Sequence, residues 1–273
     1  MHKIESYFIN NPNSSQVFLY AGIILLLWLF EGIVLSVSWK NKWKHTFTNI
    51  LFIATALPIQ LFMTIFVLAT SAWAIKRHHG LLFLFHHSNS VFVKYVIAFI
   101  LLDLCEYIYH VIMHKVKLLW SFHLVHHSDL ELDVSTTVRE HPVETFIRTA
   151  FLIVWVYLLG ASFGVLLLRQ TAQTISNITS HTQFRLPKTL NTIIGWVFIT
   201  PNLHHVHHHY ELPYTDCNYG DVLSIWDRIF NTHFNGLSRN ELKFGVNTHM
   251  DKKETSRFLG ILGMPFNKSA KRQ

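Results

Sequence analysis

Five of the six residues from His204 to His209 are histidines, interrupted only by Val206. Two more groups stand upstream, His110-Val-Ile-Met-His114 and His123-Leu-Val-His126-His127, and a lone His181 lies between them and the last. Residues three or four apart on a helix share a face, with Cβ atoms about 5 to 6 Å apart. HxxxH and HxxHH are therefore helical clamps for a metal. In HxxHH the first and last rings share one face and the intervening one points aside, so neighbouring ring nitrogens can reach two different ions. Neutral imidazole suits zinc, iron, copper and nickel alike. A lone structural zinc is filled by four ligands and a lone catalytic zinc by three, so this supply points to a two-metal centre. HExxH, whose glutamate serves zinc proteases as general base, is absent, as is the HxE…PCxxC deaminase signature. Spacing alone does not choose the metal. The isolated His2, His45, His86, His87, His233 and His249 read as ordinary core or surface residues.

Such clamps must be held by helices, and composition says where those helices sit. Half of the 273 residues are hydrophobic and only 14% are charged, against about 25% in soluble domains. The net charge of +7 does not imply nucleic acid, because Lys and Arg fall in short groups between apolar runs and not along an aromatic-interleaved face. Cys105 and Cys217 make neither a disulfide framework nor a CxxC motif. No linker or repeat divides the chain, so residues 1–273 read as a single domain.

A bilayer span needs about 20 mostly apolar residues. Residues 17–37 qualify, with Glu31 as their one acid; 47–75 is longer, with Pro58 available to kink it; 91–109 delivers Asp103 and Glu106 near its last turns. A fourth apolar region, 146–180, is expected to turn near Gly160 into a more polar second helix. The first stretch starts late and lacks a small-residue cleavage site, which argues against a cleaved signal peptide. Lys40, Lys42 and Lys44 follow it, so the positive-inside rule puts that loop in the cytoplasm, while Lys76 and Arg77 on the opposite loop oppose this weakly. The expected fold is all-α: an integral membrane bundle of about four spans with a cytosolic helical cap, residues 110–145 and 181–273, carrying the histidines.

The ordered set Asp103-Leu-Cys-Glu106-Tyr-Ile-Tyr-His110-xxx-His114, Leu119-Trp-Ser-Phe-His123-xx-His126-His127-Ser128, Arg139-Glu-His141-Pro-Val-Glu144, His181-Thr-Gln-Phe-Arg-Leu-Pro187, and Thr200-Pro-Asn-Leu-His204-xx-His207-His208 through Asn218-Tyr-Gly and Trp226-Asp-Arg resembles the fatty acid hydroxylase/sterol desaturase superfamily. The match spans about residues 95 to 235. The resemblance implies an integral membrane di-iron enzyme that hydroxylates or desaturates a fatty acyl, sphingoid or sterol-like lipid with O₂ and external electrons. It assigns His110, His114, His123, His126, His127, His181, His204, His207 and His208 to two iron ions, with zinc able to replace iron in purified protein. His205 and His209 occupy its variable positions. Val111 departs from the pattern, where arginine is frequent. His141, Asp103, Glu106, Glu140, Glu144 and Asp227 are candidates to orient ligand rings from behind.

No HPGG loop and no GxGxxG follows a strand here, so electrons are expected from a separate ferredoxin or cytochrome b5-like donor. Lys243, Lys252, Lys253 and the Lys268 to Arg272 tail could steer such a donor or face anionic headgroups. The membrane is expected to be a bacterial inner membrane or the endoplasmic reticulum. Two rival classes are a divalent-metal transporter and a metal-binding structural membrane protein. A transporter would place its ligands near the bilayer midplane, whereas these lie at span ends and in the cap.

Overall fold

The computed structural model describes residues 12–34, 38–84, 90–234 and 236–267. His2, His86, His87, the end of the expected first span at 35–37, and the tail from Lys268 fall outside them. Among the described residues the fold is all-α, with only two isolated bridges, Phe198 to Leu223 and His209 to Phe244.

Three helices are long and apolar enough to cross a membrane: α2 (Trp39–Arg77), α3 (Val91–Lys115) and α5 (Pro142–Leu159). The most apolar window of α2 is only 17% buried by the protein, so its Leu57, Leu61, Phe62 and Ile65 side chains face outward. Burying such a surface in hydrocarbon is what makes the chain a membrane protein. The 39 residues of α2 extend ~58 Å at about 1.5 Å per residue, well beyond a hydrocarbon core of about 30 Å. Its first turns therefore project beyond the bilayer, where they meet the cap. Helix α1 (Pro12–Val34) has a shorter apolar stretch, Tyr20–Val34.

The fourth apolar region is a hairpin, α5 followed by α6 (Phe163–Ser180). Gly160 ends α5 at φ 72°, and Gly80, at φ 111°, comes up against it. Neither position has room for a Cβ, so only glycine permits this close approach. Ser71 Oγ donates to the carbonyl of Ala161 at 2.7 Å, tying α2 to the same turn. A core of Val67, Ala98, Leu102, Val156 and Val165 fills the space between α2, α3, α5 and α6. This is the end of the bundle remote from the histidines.

At the other end the chain turns at Val116, whose extended backbone separates α3 from α4 (Lys117–His127). Thr200 caps α8 (Pro201–His207) by accepting from Leu203 N, with Pro201 pre-set for the first helical position. Two short helices, α7 (Lys188–Ile194) and α9 (Ile225–Ile229), flank it. Asp103 fastens this cap to the bundle, accepting from Trp226 Nε1 at 2.8 Å, Leu223 N at 3.2 Å and Val222 N at 3.3 Å. The last segments, α10 (Lys252–Thr255) and α11 (Phe258–Gly263), close over Phe52, Trp120 and Leu124.

Candidate metal centre

The nine rings expected as ligands converge in two groups. His110, His114, His123, His127 and His207 form one; His126, His181, His204 and His208 form the other; within each, one nitrogen per ring lies within 4.8 Å of the rest. Each HxxHH feeds both. His123 and His127 enter the first group and His126 the second; His204 and His208 enter the second and His207 the first. The cause is helical geometry: at 3.6 residues per turn, i+4 lies about 40° to one side of i and i+3 about 60° to the other, so the i+3 ring turns toward the other group. His110 and His114 come from the last turns of α3 and His181 from the end of α6. The rings of His127 and His208 stack at 4.4 Å and join the two groups.

The distal nitrogens settle which atoms face inward. His110 Nδ1 lies 2.8 Å from the Tyr219 carbonyl, His207 Nδ1 2.8 Å from that of Cys217, His181 Nδ1 2.7 Å from that of Asn177, and His126 Nδ1 3.3 Å from that of Arg139. His123 Nδ1 lies 2.6 Å from Glu144 Oε1. Each partner is an acceptor, so each Nδ1 carries the proton. A neutral imidazole has one N–H, so each Nε2 keeps a bare lone pair. Yet His110 Nε2 faces His123 Nε2 at 3.2 Å, and His126 Nε2 faces His181 Nε2 at 3.1 Å. Two lone pairs at that distance repel unless a cation lies between them, and the buried Nε2 of His207 likewise has no hydrogen-bond partner among the described residues.

Protonation does not relieve the clash. Burial holds His126, His127, His204 and His208 well below the ordinary imidazole range, His181 at about 4 and His207 at about 3. Neutral, inward-pointing and crowded imidazoles are the donor set that divalent transition metals take.

A family model described as fatty acid hydroxylase matches residues 95–232. The chain belongs to the fatty acid hydroxylase family. Among curated relatives, the ornithine lipid hydroxylase OlsE of Rhizobium tropici is 25% identical over 264 residues, covering 93% of this chain and 76% of its own length. Alkylglycerol monooxygenases of Caenorhabditis elegans and Danio rerio are 30% and 31% identical over 130 and 136 residues, about half of this chain but only 25% and 29% of their own length. No solved structure matches the chain. Membership makes the hydroxylase an oxidoreductase acting on lipid, and removes the transporter and structural readings.

Of the carboxylates expected behind the ligands, only Glu144 touches a ligand ring. Glu106 pairs with Arg169 at 2.5 Å and with Gln173 at 3.1 Å. Glu140 pairs with Arg148 at 2.8 Å and Thr145 at 2.6 Å. Asp103 holds the cap, and Asp227 accepts from Tyr219 N and Gly220 N, shaping the turn that presents the Tyr219 carbonyl to His110. His141 caps α5 by accepting from Val143 N and packs on Phe122, away from both groups. His205 and His209 are outside the groups but buried, not superficial; His205 Nε2 donates to the Thr182 carbonyl. Spacing missed the four carbonyl acceptors, since a backbone oxygen leaves no mark on residue type. It also missed Asp216, 3.7 Å from His114 Nδ1.

The cavity that reaches the rings, about 60 Å³, is lined by Glu106, Tyr109, Thr137, Glu140, Arg148, Asn177, Gly220, Asp221 and five of the histidines. Its wall is mostly polar.

Two tests arise here. Glu144→Gln keeps an acceptor for His123 but removes the charge that raises its basicity. Metal retention during chelator dialysis is expected to fall roughly 10- to 100-fold. Retention equal to wild type would show that the carboxylate is dispensable. The second concerns acid. His181 and His207 have folded values below the about 6.5 of a solvated imidazole, so the unfolded chain binds more protons below that pH. Their contribution is constant above about pH 6.5 and falls as pH drops toward 4. His181 alone is expected to remove about 3 kcal/mol by pH 4. Thermal midpoints of the metal-free protein in detergent, measured between pH 7.5 and 4.5, should decline from about pH 6.5 downward; a flat series would contradict buried neutral rings.

Proposed function

We propose that the nine histidines hold two iron ions and that the protein is a membrane monooxygenase inserting one oxygen atom of O₂ into a lipid C–H bond. Balance requires that the second oxygen leave as water, with two electrons from a separate carrier and two protons from solvent. The observation that carries the reading is the pair of facing Nε2 lone pairs, His110 with His123 and His126 with His181, inside two converging groups. Bound there, the irons would supply the O₂ reduction and C–H cleavage that protein side chains cannot. The chain's own part is positional. Four carbonyls and Glu144 fix the tautomers, keeping each lone pair turned inward without rearrangement. Burial excludes water that would otherwise compete for the centre.

The histidine end shares its side of the bundle with Lys40, Lys42 and Lys44, which supports a cytoplasmic centre by the positive-inside rule. A ferredoxin or cytochrome b5-like carrier would then reach it from the cytosol. Lys243, which lies over the Tyr210 ring at 5.9 Å, and Lys253 offer positive charge on the cap. The ornithine lipid hydroxylase relative makes a polar bacterial lipid the first substrate to try. Expression in a lipid-defined host, with metal analysis and untargeted lipid mass spectrometry, tests the whole reading. About two irons per chain and a lipid heavier by one oxygen are expected. A zinc-only protein with an unchanged lipidome would sink it.

A further inference from the structure

We infer that the cleft between the first turn of α2 and the loop carrying Leu237 and Arg239 binds the head of an anionic phospholipid, its phosphate held by Arg185 and Arg239 at the rim of the leaflet on the histidine side. The site is separate from both histidine groups and does not depend on what the metal centre oxidises. The cleft, about 450 Å³, has Asn41, Leu132, Gln183, Arg185, His205 and Arg239 on its walls. Among the described residues Glu131 is the one carboxylate lining it, and Lys252 already pairs with that group.

Two guanidinium groups therefore share this space without an acid to balance them. Burial and the Arg239 charge both hold Arg185 below the ordinary guanidinium range. Arg185 Nη2 donates to the carbonyl of Leu237 at 3.2 Å, but its buried Nε has no hydrogen-bond partner among the described residues. Arg239, an exposed residue, makes no hydrogen bond or ion pair among them either. Like charges brought together repel unless an anion lies between them. A phosphate accepts from two guanidinium groups at once, and its planar, charge-assisted contacts suit arginine better than any other side chain.

The place of the cleft in the fold favours a lipid over a soluble anion. Gln183 N donates to Glu31 Oε1 at 2.8 Å, and the Phe184 and Phe30 ring centroids are 4.7 Å apart, so the cleft opens beside the last turns of α1. Leu26, Phe30 and Ile33, spaced four and three residues apart, form one exposed apolar stripe on that helix. Asn41, on the α2 wall, stands between Trp39 and Trp43, both exposed. Tryptophans at the end of a span mark the headgroup level. An acyl chain laid along the α1 stripe thus runs into the bilayer while its phosphate reaches the arginines, the arrangement by which basic pockets take anionic heads.

The test titrates delipidated full-length protein in detergent with phosphatidylglycerol, with phosphatidylcholine, whose choline ammonium would meet two arginines, and with inorganic phosphate. Native mass spectrometry is expected to show phosphatidylglycerol retained about tenfold over phosphatidylcholine, or ~1.4 kcal/mol, and the thermal midpoint should rise with the first lipid alone. Arg185→Gln and Arg239→Gln should each bring the two lipids to about equal retention with metal content unchanged. Arg239 is exposed, so its variant keeps the test open even if Arg185→Gln folds poorly. Arg77→Gln removes the same charge at the far end of α2 and should leave the preference intact. Equal retention of the two lipids by wild type overturns the inference, as does a preference that Arg239→Gln leaves untouched or that Arg77→Gln removes as fully. Displacement of phosphatidylglycerol by inorganic phosphate at equal concentration also overturns it, because the cleft would then be a site for soluble anions.

Discussion

His207→Ala is expected to abolish lipid oxidation and to lower bound metal from about two ions per chain to about one, and His126→Ala to do the same from the other group. The assignments differ because His207 belongs with His110, His114, His123 and His127, whereas His126 belongs with His181, His204 and His208. Losing one of four donors leaves three, a count that still holds a single metal weakly. The four-histidine group should therefore suffer more, and chelator dialysis should empty it first. Buried rings also fill space, so a variant could lose activity by unfolding. His205→Ala and His209→Ala control for this, since both rings are buried but outside the groups. They should keep metal and activity. Full activity in His126→Ala or His207→Ala would remove either residue from the centre.

The clamps were legible because an imidazole's chemistry and a helix's period are both written in residue type and spacing. His123, His126 and His127 show the limit of that logic at its best, three adjacent rings divided between two groups by helical rotation alone. The turn at Gly160 was legible for a similar reason, since a glycine between apolar runs is a local signal. Carboxylates were not. Asp103, Glu106, Glu144 and Asp227 all lie near the centre in sequence, but whether one meets a ring, an arginine or a backbone amide depends on contacts between distant elements. The fate of Asp103 is set by Trp226, more than a hundred residues away. Polarity of the cavity beside the rings was hidden likewise, because Tyr109, Glu140, Asn177 and Asp221 come from four separate segments. Glu31 and His45 were read as an isolated acid and an ordinary histidine, and both belong to one buried network.

That network yields the largest expected loss of stability. Lys42 is 3% exposed, and its Nζ lies 2.9 Å from Glu31 Oε2 and 3.2 Å from Asp133 Oδ2. Glu31 also accepts from Gln183 N at 2.8 Å, just past His181. His45 Nε2 meets Asp129 at 2.8 Å, and Asp129 accepts from Asn49 and Thr136. Arg139 closes the set, donating to Ser128 at 2.7 Å and to the carbonyl of Val125 at 2.9 Å. The ions thus brace the segments that carry His126, His127 and His181. Lys42→Met removes the one cation shared by Glu31 and Asp133; Asp133 keeps His45 Nδ1 at 3.4 Å, whereas Glu31 is left with no cation. Breaking a buried pair this way costs about 3–5 kcal/mol, which for a chain of this size lowers the midpoint by roughly 10 °C. Adding Glu31→Gln and Asp133→Asn removes both carboxylate charges and should restore a substantial part of the loss. Thermal unfolding of the three proteins in detergent decides it. If Lys42→Met melts with wild type, the triad contributes nothing; if the triple variant melts no higher than the single, the loss comes from packing and not from unpaired charge.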